Sequence, residues 1–177
     1  MSEAEKRYQL ELEQSEKDHK KPTAGAMVGH IISNLHIQQN KLRQINYYLK
    51  KNTEEILEID IEKMLAEEAE LFNQLNQLML DEGEVIPTTS EEFIQYCMLK
   101  ETGQLKYESS GVMLLDMGKD FETQNLFITR GITLSEKENK YALTEFLKHL
   151  YGWVMHQLFL LKKSGLPEHI LDQLDEE

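Results

Sequence analysis

Residues 141–163 read YALTEFLKHLYGWVMHQLFLLKK, and this stretch decides the fold class. Leu143, Leu147, Leu150, Val154, Leu158 and Leu161 recur at steps of three and four. That spacing lines one face of an α-helix and no face of a strand. Gly165 and Pro167 supply the stop.

Working outward, the same rhythm appears three more times. A preceding helix starts between Gln104 and Val112, carries Leu114, Met117, Phe121, Ile128 and Ile132 with a polar gap at Asn125, and gives way to a charged turn over Ser135–Asn139. Near the beginning of the chain, Val28, Ile31, Leu35, Leu42, Ile45 and Leu49 form a stripe with one polar gap at Gln38. Between these lies a helix capped by Asn52 or Thr53, with Glu54 and Glu55 favourable in its first turn. Its stripe is Leu57, Ile61, Met64, Leu71, Leu75 and Leu78, and Gly83 is its natural stop. Ser90 to Leu99 reads as a short helix capped by Ser90. Helices of about 25 residues span roughly 40 Å. The chain is therefore expected to be all-α, a four-helix bundle with a short helix in the connection between the second and third bundle helices. That connection, Leu80 to Gln104, is long enough to run end to end, as ferritin-like topology requires.

Composition agrees. The 177 residues are 40% hydrophobic, enough for a core, and the 9 Gly and 3 Pro are too few for the turns of an all-β fold. The single Cys97 supports neither a disulfide framework nor a cysteine-rich zinc site and fits a reducing cytosol. No apolar run approaches the roughly 20 residues that cross a bilayer, so no membrane partner is expected. Residues 1–22 read as a charged extension, with Ser2 and Glu5 forming a capping box for a short helix and Pro22 breaking it. The bundle occupies residues 23–165, and residues 166–177 read as a solvated acidic tail. The net charge of −13 argues against DNA wrapping on the bundle surface. Phosphate-cradling loops, nucleophile elbows and His-Glu-x-x-His pairs are absent.

The segment from Leu42 to Lys50, the acidic second helix, the run from Gly83 through Thr89 to Glu92-Phe93, Asp120-Phe121 and the aromatic residues around Trp153 together resemble Dps proteins. These are the mini-ferritins that bind DNA and store iron in starved bacteria. The resemblance covers roughly residues 24 to 163. It implies a hollow shell of twelve copies, a cytoplasmic, nucleoid-associated location, and iron and double-stranded DNA as partners.

Departures from the family pattern fall on the chemistry. The family oxidises iron at a centre between subunits, built from two His, an Asp and a Glu. Those positions correspond here to Asn46, Glu58, Asn73 and Gln77. Imidazole and anionic carboxylate hold iron well, whereas a neutral amide neither offsets the cation's charge nor replaces its water adequately. The resemblance therefore implies a degenerate ferroxidase position, with iron possible as cargo and no cofactor required. An alternative is a relocated iron site. Glu70 shares a helix face with Asn73 and Gln77, Glu58 and Glu62 are an i,i+4 pair, and His149 and His156 share a face with Trp153. The bland expectation for the two His is packing among aromatics, and for the carboxylates a solvated face. A third possibility is a bundle whose role is purely structural or partner-binding.

Two further expectations come from the family. Its shells have acidic three-fold pores, for which Glu136, Glu138 and Glu145 are the candidates. Its DNA contacts are often made by basic extensions, for which Lys6, Arg7, Lys17, Lys20 and Lys21 are the candidates. Such contacts would be to phosphates and would fade steeply with salt. Repetition around a shell would strengthen them by avidity.

Overall fold

A computed structural model of the chain describes residues 1–50, 59–164 and 166–174, and these form helices joined by turns and loops, without strands. The helices are α1 (Glu3–Lys20), α2 (Ala24–Tyr48), α3 (Ile61–Asp81), α4 (Ser90–Tyr96), α5 (Ser110–Lys137), α6 (Tyr141–Lys163) and α7 (Glu168–Leu171). Short 3-10 turns follow at Gly103–Tyr107 and Asp172–Leu174.

Helices α2, α3, α6 and α5 pack in a ring, each against the next. Three contacts fix their directions. Ser110 at the start of α5 donates to the carbonyl of Lys50, just past the end of α2, at 3.4 Å. Glu138 at the end of α5 accepts from the backbone N–H of Ala24 at the start of α2, at 2.6 Å. Lys140, at the start of α6, pairs with Glu84, just past the end of α3, at 2.5 Å. Helices α3 and α5 therefore run parallel to each other and antiparallel to α2 and α6. Their connection returns along the whole bundle, carrying α4 and the first 3-10 turn across α2. This is the end-to-end crossover expected from the sequence.

The apolar stripes form one core, from Ala24, Val28 and Ile31 on α2 to Leu158 and Leu161 on α6. The α6 stripe is buried at all six expected positions. Elsewhere the ends of helices differ from expectation. Thr89, not Ser90, caps α4, accepting from Glu92 N–H while the Glu92 carboxylate returns to Thr89 N–H. Helix α3 is capped by Asp60, whose side chain accepts from Lys63 N–H at 3.0 Å. Asn52, Thr53 and Leu57 lie outside the described residues. Helix α3 ends in Gly83 at φ 77°, with Glu84 N–H reaching back to Met79 O at 2.9 Å. That six-to-one bond needs a left-handed residue, which glycine supplies.

Helix α5 continues through Ser135 to Lys137, where a turn was expected. Ser135 is buried, and its hydroxyl shares a hydrogen bond with Thr144 of α6 at 2.7 Å. The chain turns instead at Asn139, left-handed at φ 58°, a conformation Asn tolerates. The C-terminal segment, expected as a solvated tail, folds back on the bundle. Leu166 and Leu174 are buried, and Leu174 packs so closely on α5 that a Cβ at Gly118 would lie 2.6 Å from its Cδ2. Glu168 and Asp172 are exposed, while Leu166, Ile170 and Leu174, four apart, face in.

Candidate functional site

The expected capping box of α1 is present. Glu5 N–H donates to Ser2 Oγ at 3.1 Å, and Ser2 N–H to the Glu5 carboxylate at 2.5 Å. Helix α1 buries no residue, yet it lies against the body of the protein through one face. Ser15 Oγ shares a hydrogen bond with Tyr96 Oη at 2.9 Å, and the His19 ring stacks on Tyr96 at 5.3 Å. At 100° per residue, Lys6, Lys17 and Lys20 share the side of α1 turned away from Ser15 and His19. All three are exposed, as are Arg7 at the flank and Lys21 at the C-cap. From Lys6 to Lys20 the helix rises about 21 Å. Lys20 pairs with Glu16 at 3.3 Å on the open surface, a contact too solvated to immobilise it.

Of the positions corresponding to the family's ferroxidase ligands, Asn46 is half-buried on α2, and Asn73 and Gln77 are exposed on α3. The Gln77 amide donates to Asp81 at 2.9 Å. Glu58 lies outside the described residues. Glu62 and Glu70 are exposed on α3, the latter accepting from Gln74 at 3.4 Å. His149 and His156 are not packed among core aromatics as expected. Both are exposed on α6, next to Phe146 and Phe159 respectively. Trp153 turns inward instead, donating to Glu67 at 3.2 Å and meeting Phe121 edge-on. Among the described residues no three His, Cys, Asp or Glu side chains converge as metal ligands.

The pore candidates have local partners. Glu136 pairs with Lys148 at 3.5 Å, and Glu138 accepts from Ala24 N–H. Glu145 is exposed on the first turns of α6.

Sequence reasoning missed the charged centre of the bundle. Lys41 of α2 is buried, with Nζ 2.7 Å from Asp120 and 3.1 Å from Asp116, both on α5. Glu68 of α3 is 0% exposed, and neither carboxyl oxygen meets a hydrogen-bond partner among the described residues. Burial, reinforced by the charge of Asp120, pushes the Glu68 carboxyl well above the usual carboxylate range. Burial likewise pushes Asp120 up to about 7 despite the pull of Lys41. Lys41 feels burial in the opposite sense, but Asp120 and Asp116 outweigh it and hold the ammonium above its ordinary value. The centre thus favours the charged form of Lys41 and the protonated form of Glu68. One turn away, Asn34 donates to Gln124 at 2.9 Å, Gln124 donates to Ile31 O at 3.0 Å, and Asn34 accepts from Met98 N–H at 2.7 Å. This network fastens the crossover to the bundle interior. A signal was available. Glu68 fills the gap between Met64 and Leu71 in the α3 stripe, and Lys41 follows Gln38 by three on the α2 stripe.

A ring of four long helices closed by an end-to-end crossover that carries a short helix defines a ferritin-like subunit. The chain is 35% identical to the DpsB protein of Lactococcus lactis MG1363, with a TM-score of 0.80 over 97% of this chain and 94% of that one. It is 31% identical to the DpsA protein of the same organism, again with a TM-score of 0.80, over 97% and 95%. Dps from Listeria monocytogenes, at 18% identity and a TM-score of 0.74 over 79% of this chain and 91% of that one, shares the fold. No protein-family profile matches the chain, and no curated protein sequence matches it. The chain belongs to the Dps family. Among the described residues no helix is long and apolar enough to cross a membrane.

Proposed function

We propose that the protein is a shell-forming Dps protein that binds double-stranded DNA without sequence preference through α1 and protects it under stress. The observation that carries this reading is the division of α1 into two faces. Ser15 and His19 anchor one face at Tyr96, and Lys6, Lys17 and Lys20 stand on the other. An anchored helix presents its ammonium groups at fixed spacing, which costs less ordering on binding phosphates than a free tail would. The negative bundle surface repels DNA at close range, so contact is confined to the arm. A dodecameric shell would repeat that arm twelve times, and a cytoplasmic, nucleoid-associated location follows from the same reading. Gel retardation compares the full chain with a variant starting at Thr23, at low and moderate salt. Retardation is lost in the shortened chain; equal retardation by both would remove α1 as the binding element.

Iron enters this reading as cargo. At the family's usual position, Asn46, Asn73 and Gln77 offer amides where the family has imidazole and carboxylate, so that position stores no oxidising pair. Glu136, Glu138 and Glu145 remain the proposed pore residues, on the family resemblance alone. Fe(II) and peroxide give oxidation no faster than buffer plus an unrelated acidic protein. Turnover abolished by Glu58→Ala would instead establish a working centre. Native mass measurement tests the shell directly, since a monomer or dimer would remove it.

A further inference from the structure

Helix α1 has no fully buried residue, and beside the Ser15–Tyr96 hydrogen bond a small cluster of rings holds it. His19 of α1 stacks on Tyr96 of α4. His30 of α2 meets His19 edge-on with centroids 5.1 Å apart, and meets Tyr96 edge-on at 6.1 Å. The hydrogen bonds assign the protons. His30 Nδ1 lies 2.8 Å from the Tyr96 carbonyl, and His19 Nδ1 lies 2.6 Å from the Ser15 carbonyl. A carbonyl only accepts, so both Nδ1 atoms carry hydrogen and each neutral ring has a bare Nε2. We propose that the His19–Tyr96–His30 cluster is a pH-sensitive latch, which holds α1 against the bundle while the His30 imidazole is neutral and releases it when His30 takes up a proton.

The charged groups around the latch act in both senses. Glu11 and Asp18 of α1, Glu84 of the α3–α4 connection and Glu92 of α4 line the cavity beside His19 and put negative charge on that side of the latch. His30 does not line that cavity. It faces the Phe127 ring of α5 at 5.7 Å, over whose other neighbour, the Arg130 guanidinium, lies a further positive charge 5.5 Å from the ring centre. Burial first, and then the neighbouring His19, hold the His30 imidazole below its ordinary range, against the opposing pull of the Tyr96 carbonyl. Protonated His30 would sit between the His19 ring of α1 and the apolar Phe127 ring of α5, and swinging α1 away removes the first and opens that side of His30 to water. The sign follows by linkage. A histidine whose pKa is lowered in the docked state favours docking above about pH 6.5, and that preference is lost as pH falls through the lowered value. Lys21, with extended backbone, and Pro22 after it form the joint about which α1 would turn. The latch is independent of what α1 binds.

Hydrogen exchange of the full chain at pH 7.5 and 5.5, corrected for intrinsic rates, reads the latch. Amides of α1 lose at least tenfold of their protection at pH 5.5, while those of α5 and α6 do not change. His30→Phe, which cannot protonate, and His30→Gln, which keeps a donor for the Tyr96 carbonyl, are the two controls. Loss of the pH dependence in either variant supports the latch. Equal protection of α1 at both pH values in the unaltered chain overturns it, and so does a pH dependence that survives in both variants.

Discussion

The Lys41 ammonium lies 2.7 Å from the Asp120 carboxylate at the centre of the four-helix ring, joining α2 to α5 where the neighbouring positions are apolar. A buried ion pair contributes little net stability over an apolar pair, but half of one is costly. Lys41→Met leaves Asp116 and Asp120 without their cation and is expected to destabilise the fold by about 3–5 kcal/mol. The double variant Lys41→Met/Asp120→Leu recovers most of that loss. Denaturant unfolding of the chain and its variants at pH 7 measures both, and a single variant as stable as the parent would show the pair to be incidental.

Glu68 and Asp120 make the pH dependence unusual. Both carboxyls are held above their ordinary values by burial, so the folded state keeps protons that the unfolded chain releases. Stability from these groups is present at about pH 4 and declines as pH rises through the raised values, levelling off for Asp120 above about 7. Glu68→Gln removes the Glu68 share of that decline. Melting temperatures across pH 5 to 9 are expected to fall less steeply in the variant, with its advantage greatest at alkaline pH. Parallel curves would mean that Glu68 does not titrate with folding.

The outward lysines of α1 give a graded test. Each ammonium that displaces a counterion adds about 0.9 to the slope of log affinity against log salt. Replacing Lys6, Lys17 and Lys20 by Gln is expected to weaken DNA binding and flatten that slope. Fluorescence titrations at several salt concentrations read the slopes, and an unchanged slope in the triple variant would shift the contact elsewhere.

Leu174 is 2% exposed and fits over Gly118. Leu174→Ala is expected to cost about 2–5 kcal/mol, the range for emptying a buried leucine site. A loss below about 0.5 kcal/mol, the level of a surface change, would return this segment to the solvated tail that its acidity suggests.

How much was legible in the sequence depended on which force shaped each part. Helix α6 was readable to the residue because nothing but apolar spacing, Gly165 and Pro167 was needed. Helix ends were misplaced where two residues are chemically alike, as Thr89 and Ser90 are. The end of α5 was misplaced because Ser135 looks like a turn residue until Thr144 is folded against it. Lys41, Glu68 and Asp120 were not recognised as a buried charged centre because a charge inside a stripe reads as an interruption. Only the pairing across three helices shows it to be interior. The basic residues of α1 were identifiable by type, but their common face mattered only once Tyr96, 81 positions from Ser15, gave the helix an inner side.

The parallel course of α3 and α5 divides the molecule in a way the chain order conceals. Each half is a hairpin, α2 with α3 and α5 with α6, and the only covalent tie between them is the crossover. Asn34 and Gln44 grip that crossover from the first half, through Met98 N–H and the Thr102 carbonyl. The peptide bonds beyond Thr102 therefore serve as a tether, and the recognition between halves resides in their surfaces. Synthesised as two chains divided there, the halves carry the complementary faces of a heterodimer.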